Sequence, residues 1–421
     1  MGRPHVVIIG GGFAGLSAAK ALKSANADVT VIDRTNHHLF QPLLYQVATA
    51  SLSPGDISAP IRHVLRKQKN TSVLLAEVTD IDVERKVVHI DIPDREVQYD
   101  YLIVATGSHH AYFGHEEWEP LAPGLKAIED GSEVRRRFLL AFERAEKTTD
   151  PVERDEYLTF VIVGAGPTGA ELSGALPTIA RKALYPDFRN IDTRTTRVIL
   201  LEGGPRILPS FPEDLAEKAR QALVDLGVEV RTSSVVTRIE PGAVYVGDER
   251  IATRTVFWAA GNEASALGRK LGAPVDWVGR VLVNPDLSIP DHPEVFVAGD
   301  LASVTRSDGR PVPGVCPAAN QEGTTAAKNI RRLIGHLPTK PFRYFNKGDL
   351  AVLGRSSAIA DFGRVRFSGR LAWLLWLFVH IMYLVGFRNR VSVFIEWAYS
   401  FLTYQRGVRL ITATERIPLR Q

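Results

Sequence analysis

One cysteine, Cys316, stands in a chain of 421 residues. A disulfide framework is therefore excluded, and so is a Cys-rich metal site. So few thiols fit a reducing compartment. The chain also lacks low-complexity tracts, coiled-coil heptads and solenoid-length repeats. Histidines pair at His37-His38 and His109-His110, but no set has metal-ligand spacing, so no metal is expected. No apolar run reaches the roughly 20 residues that a spanning helix needs. The first strand pattern opens at His5, which leaves no room for a cleavable leader ahead of it.

What is present reads as a folded protein of two or three domains, given the length and 45% hydrophobic residues. The net charge of +4 is unevenly spread. Residues 341–421 hold 12 Lys/Arg against 4 Asp/Glu, a balance of +8, which leaves −4 for the rest. A basic, aromatic-rich tail on a slightly acidic body suits an anionic membrane surface. The tail is too apolar for a solvated phosphate-binding arm, so no nucleic acid is expected.

Near the start, the apolar run Val6–Ile9 leads into Gly10-Gly11-Gly12-Phe13-Ala14-Gly15 and then a helical pattern from Leu16. A second apolar strand, from Asp28, ends in Asp33. In such a strand–turn–helix, the first glycine permits the tight turn and the second lets the backbone approach a pyrophosphate. The third lets the helix pack closely. The helix N-terminus offers free N–H groups to the phosphates, and the acid can accept from ribose hydroxyls. The pattern returns at Thr159–Val163, followed by Gly164-Ala165-Gly166-Pro167-Thr168-Gly169 and a second strand, Arg197–Leu201, ending in Glu202. Residues 181–196 read as an insertion between that helix and strand. A carboxylate at Glu202 repels a 2′-phosphate and favours NADH over NADPH, while Arg206 nearby could accommodate the phosphate.

Three further strands end in small-residue turns: Tyr101–Gly107, Val256–Gly261 and Val295–Asp300. With the two glycine motifs, they resemble the two-dinucleotide-binding flavoproteins, the pyridine-nucleotide-dependent reductases. The resemblance spans about residues 5–335. It implies an α/β fold of two Rossmann-like domains, an FAD domain with an inserted NADH domain. FAD would then be held by Gly10, Gly11, Gly12, Phe13, Ala14 and Gly15, by Asp33, Arg34 and Gln41, by Ala105, Thr106 and Gly107, and by Gly299, Asp300 and Gln321. NADH would fall to Gly164, Gly166, Pro167, Thr168, Gly169, Glu171, Glu202 and Gly261.

Disulfide reductases of this fold need a redox pair of cysteines beside the flavin. The corresponding stretch, His37 to Gln46, has none. The stretch HHLFQPLLYQVA (37–48), Trp258-Ala259-Ala260-Gly261 and residues 313–323 instead resemble type II NADH:quinone oxidoreductases. That family carries an Ala-Gln-x-Ala-x-Gln stretch under the flavin. Aligned on Gln321, this chain keeps the second Ala and second Gln but has Cys316 and Pro317 at the first two positions. The resemblance implies hydride transfer from NADH to FAD, then two electrons to a membrane quinone, without proton pumping. The alternative is reduction of a protein acceptor such as a ferredoxin-like partner. Quinone reduction needs protons, and Glu171 is the first candidate to handle them. The family has a glutamate there that is linked to the quinone and nicotinamide sites. A carboxylate merely stabilised by the helix dipole is the competing reading. Gln321 is the second candidate, as a hydrogen-bond partner of flavin or quinone.

The tail carries two apolar segments, Leu371–Phe387 and Val391–Tyr404. On a helix, Ser392, Glu396, Ser400 and Thr403 form one polar stripe, opposite Phe394, Ile395, Ala398, Phe401 and Leu402. Trp373, Trp376, Tyr383, Trp397, Tyr399 and Tyr404 suit a lipid interface. A spanning helix, a core helix and a monotopic pair compete; the last explains stripe, aromatics and arginines together. The expected layout is an FAD domain at 1–115, a helical linker at 116–157, the NADH domain at 158–280, the rest of the FAD domain at 281–368, and an amphipathic membrane anchor at 369–421. Peripheral attachment to the cytoplasmic face of the inner membrane is expected, with a homodimer among the assemblies to test.

Overall fold

The computed structural model describes residues 2–412 except Asp94 and Ser307, so the end of the expected anchor, 413–421, lies outside the described residues. The chain forms two compact units, one of Met1–Leu39, Ser58–His109 and Asn262–Lys347, the other of Phe40–Ile57, His110–Gly261 and Gly348–Gln421.

The first unit is built on a six-stranded sheet. His5–Ile9 lies at its heart, parallel to Asp28–Asp33 on one side and Tyr101–Val104 on the other. Val6, Val7, Ile8 and Ile9 are all buried, because helices cover both faces of a parallel sheet. The late strand His292–Val297 joins the same sheet beside Tyr101–Val104, with Val295 opposite Leu102. The Gly-Asp strand thus returns to the first fold, as the resemblance implied. Helix Cys316–Ile334 packs on the first Rossmann helix, Phe13–Ala21. Their backbones touch: a Cβ on Gly323 would lie 2.0 Å from the Ala14 carbonyl oxygen. Ser17 donates to Asn320 Oδ1 at 2.7 Å across the pair.

The second unit repeats the plan on four strands, in the order Val228–Arg231, Arg197–Leu201, Thr159–Val163, Thr255–Trp258. All pairings are parallel. Each unit also carries a three-stranded antiparallel meander, from Val78 to Gln98 and from Val236 to Ala252. The helix after the second glycine turn does not stop before the expected insertion. It runs past Pro177 and widens into a π-helical turn over Ile179–Leu184. Proline lacks the N–H that an α-turn needs, and a wider turn accommodates it. Thr193 Oγ1 then donates to the Ala180 carbonyl, pinning the loop back.

The compact units divide the chain at points other than the expected boundaries. Residues 262–280 belong with the first unit, because Ala264 and Leu271 are part of its apolar core. Residues 348–368 belong with the second. There the antiparallel strands Asp349–Val352, Ala358–Asp361 and Arg366–Gly369 lead directly into the tail helices. The Gly354 turn packs on helix Pro167–Thr178, so closely that a Cβ on Gly174 would lie 2.9 Å from the Gly354 nitrogen. Two helices follow, Arg370–Tyr383 and Phe387–Thr403. The first ends short of Phe387 because Leu384 is extended and Gly386 adopts φ +92°. Among the described residues, no helix is long and apolar enough to cross a membrane.

The Ala14–Gly323 approach yields a prediction. Gly323→Ala forces the two helices apart and destabilises the first unit by about 1–3 kcal/mol. Chemical denaturation measures this, and an unchanged midpoint would show that the contact is not tight.

Candidate active site

The two glycine turns have nearly superimposable local geometry. Gly10 has φ +97° and Gly164 has φ +95°. A Cβ on Gly15 would lie 1.8 Å from the Gly10 oxygen, and one on Gly169 would lie 1.9 Å from the Gly164 oxygen. Around Gly12 and Gly166, by contrast, the space where a Cβ would project is open. Each of these residues caps its helix with no side chain bonded to the first N–H groups. An uncapped helix start beside open space suits a pyrophosphate. The two differ in donor count, since Pro167 begins the second helix and has no N–H to offer.

Each turn is tied to its acid. Asp33 accepts from the Gly11 N–H at 2.5 Å and from the Thr35 N–H at 2.6 Å. Glu202 accepts from the Ala165 N–H at 2.7 Å and from the Gly204 N–H at 2.8 Å. A carboxylate has about four acceptor sites, so each retains capacity for a ribose hydroxyl. Arg206 donates to the Pro209 carbonyl at 3.0 Å, and Arg34 stands exposed.

Further features of the first unit fit a bound dinucleotide. Ala105 bonds back to Ile9, and Gly107 turns at φ +69°. Between them the Thr106 hydroxyl is buried with no hydrogen-bond partner among the described residues. An orphaned buried hydroxyl at the end of a Rossmann strand suits a hydrogen bond from a bound dinucleotide. Asp300 accepts from Ser108 at 2.9 Å. Gly299 donates to Glu322, whose carboxyl burial pushes up to about 7. His38 is also buried, pushed down to about 4, and bonds to the Gly11 carbonyl through Nδ1 at 3.1 Å. A neutral ring that donates there holds the loop's second peptide. Sequence reading passed over Glu322 and His38, because neither type marks a flavin site by itself.

Gln321 differs from expectation. Its amide is spent on main chain, donating to the Pro317 and Phe345 carbonyls at 2.9 and 3.0 Å and accepting from the Phe345 N–H at 3.0 Å. It therefore holds the 345 segment, with no amide N–H left for a ligand. Gln41 likewise donates to the Lys126 carbonyl at 3.0 Å. Gly261, at φ +73°, sits under Phe113.

The second unit contains a cavity of about 100 Å³ beside Glu171. Glu171, Ala175 and Thr178 line it from one face of the helix Pro167–Thr178. Tyr45 and Gln46 come from the short helix Leu44–Ala48. The tail supplies Arg355, Trp373, Trp376, Trp397, Tyr404 and Arg406. Burial pushes the Glu171 carboxyl up to about 8, against a 3.4 Å bond from the Val352 N–H. The Trp376 indole N–H faces this carboxylate without closing a well-aligned bond. Arg406 is pushed down to about 10 by burial, and Arg355 lies 3.7 Å over the Tyr404 ring. Sequence reading had no signal for either arginine, since each is isolated among unrelated neighbours.

The tail tryptophans also differ from expectation. Trp376 is buried and stacks on His380 at 4.1 Å, while Trp373 and Trp397 face the cavity. Trp373 and Trp376 share one face of the first tail helix with His380, at spacings of 3 and 4, and that face is the one packed inward. The outward faces carry Leu374, Phe378, Met382, Phe394, Ile395 and Leu402, with Leu402 79% exposed. The expected polar stripe turns inward instead: Ser392 donates to Asp56 at 2.7 Å, and Ser400 lines the cavity. Thr403 alone of that stripe is exposed.

Residues 4–323 match the pyridine nucleotide-disulphide oxidoreductases, and residues 346–405 match the NDH2 C-terminal domain. A type II NADH:quinone oxidoreductase of Mycobacterium tuberculosis, Ndh, is 46% identical over 97% of this chain and 90% of its own. The chain belongs to the type II NADH:quinone oxidoreductases. A probable NADH dehydrogenase of Dictyostelium discoideum is 30% identical over 93% of this chain and 88% of its own. The structure of NDH2 from Plasmodium falciparum in complex with NADH shares the fold, with TM-score 0.87 at 20% identity, covering 96% of this chain and 99% of that one. The family's C-terminal domain is the part that walls the cavity on the tail side.

The raised carboxyls of Glu171 and Glu322 give a pH prediction. Each keeps its proton in the fold at pH values where the unfolded chain has lost it. Their contribution is therefore fully present below about pH 4.5 and is lost as pH rises through about 7 to 8. Glu171→Gln makes the fall in melting temperature between about pH 5 and 8 shallower. Thermal melts across that range check it; a slope equal to wild type would contradict the burial of a protonated Glu171.

Proposed function

We propose that this chain oxidises NADH and reduces a membrane quinone through bound FAD, with the cavity beside Glu171 receiving the quinone head group. The single observation that carries the quinone site is the buried acid in an aromatic cavity whose other wall is the family's own C-terminal domain. FAD, when bound, takes up a hydride from NADH and passes two electrons onward. Gly10 to Gly15 with Asp33, Ala105 to Gly107, and Gly299 with Asp300 hold it. Gly164 to Gly169, Glu202 and Gly261 hold NADH, and the carboxylate at Glu202 excludes a 2′-phosphate.

Glu171 passes protons to the reduced quinone, because a carboxyl raised to about 8 carries a proton at neutral pH and can release it. Gln321 is a positioning residue, acting through the main chain of Phe345. No thiol relay is available, since burial pushes the Cys316 thiol up to about 12. A carrier protein as acceptor is not favoured, because the tail domain belongs to the quinone-reducing family. The exposed apolar faces of the tail helices lie in the lipid interface, and the basic residues of the tail meet anionic headgroups. On this reading the protein sits peripherally on the cytoplasmic face of the inner membrane and does not pump protons; the outward apolar faces and the basic tail support it. A homodimer through the same helix faces would compete with lipid.

Two measurements test these assignments. A short-tail benzoquinone should be reduced rapidly at the expense of NADH; turnover only with a protein acceptor would sink the quinone reading. The protein should co-sediment with anionic vesicles, and Phe378→Asp with Phe394→Asp should abolish this while flavin content persists. Vesicle binding that survives both changes would place the membrane surface elsewhere.

A further inference from the structure

The cavity residues are not only close together; their hydrogen bonds have a direction. The Trp397 indole nitrogen lies 2.6 Å from the Gln46 side chain. An indole N–H can only donate, so its partner must be the amide oxygen, Oε1. The amide cannot be flipped, because N–H would then face N–H. Its nitrogen is therefore the atom that lies 2.8 Å from the Tyr45 hydroxyl, and it donates to that oxygen. The Tyr45 oxygen is thus an acceptor toward Gln46, and its own proton must point elsewhere. Among the described residues no carbonyl or carboxylate receives it. Tyr45 and Gln46 are each only 7% exposed, and both line the cavity.

We propose, on the quinone reading of the cavity given above, that Tyr45 donates its hydroxyl hydrogen bond to a carbonyl oxygen of the quinone. Gln46 and Trp397 are positioning residues that fix the hydroxyl's polarity. A neutral carbonyl is the acceptor that a desolvated O–H seeks. As electrons enter the ring, that oxygen gains negative charge and the bond strengthens, which favours reduction over mere binding. Tyr45 keeps its proton throughout. Burial and the neighbouring Glu171 carboxylate hold its hydroxyl well above the ordinary phenol range. The arrangement selects acceptors with a carbonyl at the ring's edge over acceptors that only need proximity to the flavin.

The test uses full-length protein with bound FAD and a short-tail benzoquinone, with ferricyanide as an acceptor that needs no hydrogen bond. Tyr45→Phe lowers kcat/KM for the quinone by about 10-fold, the loss of a hydrogen bond to a developing charge. Ferricyanide reduction by the same variant falls far less. Trp397→Phe keeps the ring but frees the Gln46 amide to turn, and costs about 3-fold. The double variant is no worse than Tyr45→Phe, since both remove one interaction. Additive losses, or equal losses with both acceptors, would overturn the proposal. If Tyr45→Phe fails to retain FAD, the Trp397→Phe acceptor ratio decides alone. Trp373→Ala separates the two levels of the claim. Should it change quinone KM while Tyr45→Phe does not, only the donor role falls. Should neither change it, the cavity is not the quinone site.

Discussion

Both cofactor cradles depend on one steric constraint. At Gly15 and at Gly169, the backbone of a helix lies so near the carbonyl of the turn's first glycine that no side chain could be inserted. That approach sets the helix N-terminus directly after the strand, where its free N–H groups meet open space beside Gly12 and Gly166. A carboxylate then locks each turn from the next strand. A methyl group at either close contact would push the helix away and dissolve the arrangement. Both open, uncapped helix starts therefore follow from a packing restriction rather than from positive side chains.

The tail obeys a different logic. A helix on a water-soluble body ordinarily buries its apolar face. Here the second tail helix turns serines and a glutamate toward the protein and leaves phenylalanine, isoleucine and leucine outward. Of the inward polar groups, Ser392 is satisfied by Asp56. The inverted pattern makes sense when the outer medium is lipid. It also brings three tryptophans and two arginines to the acid on the second Rossmann helix, so the segment that leaves its apolar faces outward also encloses the cavity.

That cavity sets buried polar groups among aromatic walls. Glu171 has lost most of its solvent, so its proton stays on to about pH 8. Arg406 is likewise desolvated, with Tyr45 near both groups. A small cavity with a protonated acid, a cation and a fixed hydroxyl can stabilise a neutral ring that becomes electron-rich, and desolvation of these groups strengthens each contact.

The glycine turns, the acids after the second strands and the returning Gly-Asp strand were legible because each depends on neighbours in sequence: a turn, a helix start and a strand end are local events. The lack of a second thiol was legible as well, since composition needs no geometry. The role of Gln321 was not, because its amide partner is Phe345, 24 residues away. Nor were Tyr45, Arg355 and Arg406, which meet only when strands 349–369 pack on the helix of Glu171. The inward turn of the tryptophans was likewise decided by packing, since helical spacing defines a face but not which medium it meets. Local backbone chemistry thus determined the nucleotide cradles, and tertiary contact alone determined the acid–aromatic cavity, because desolvation exists only once distant segments close around a group.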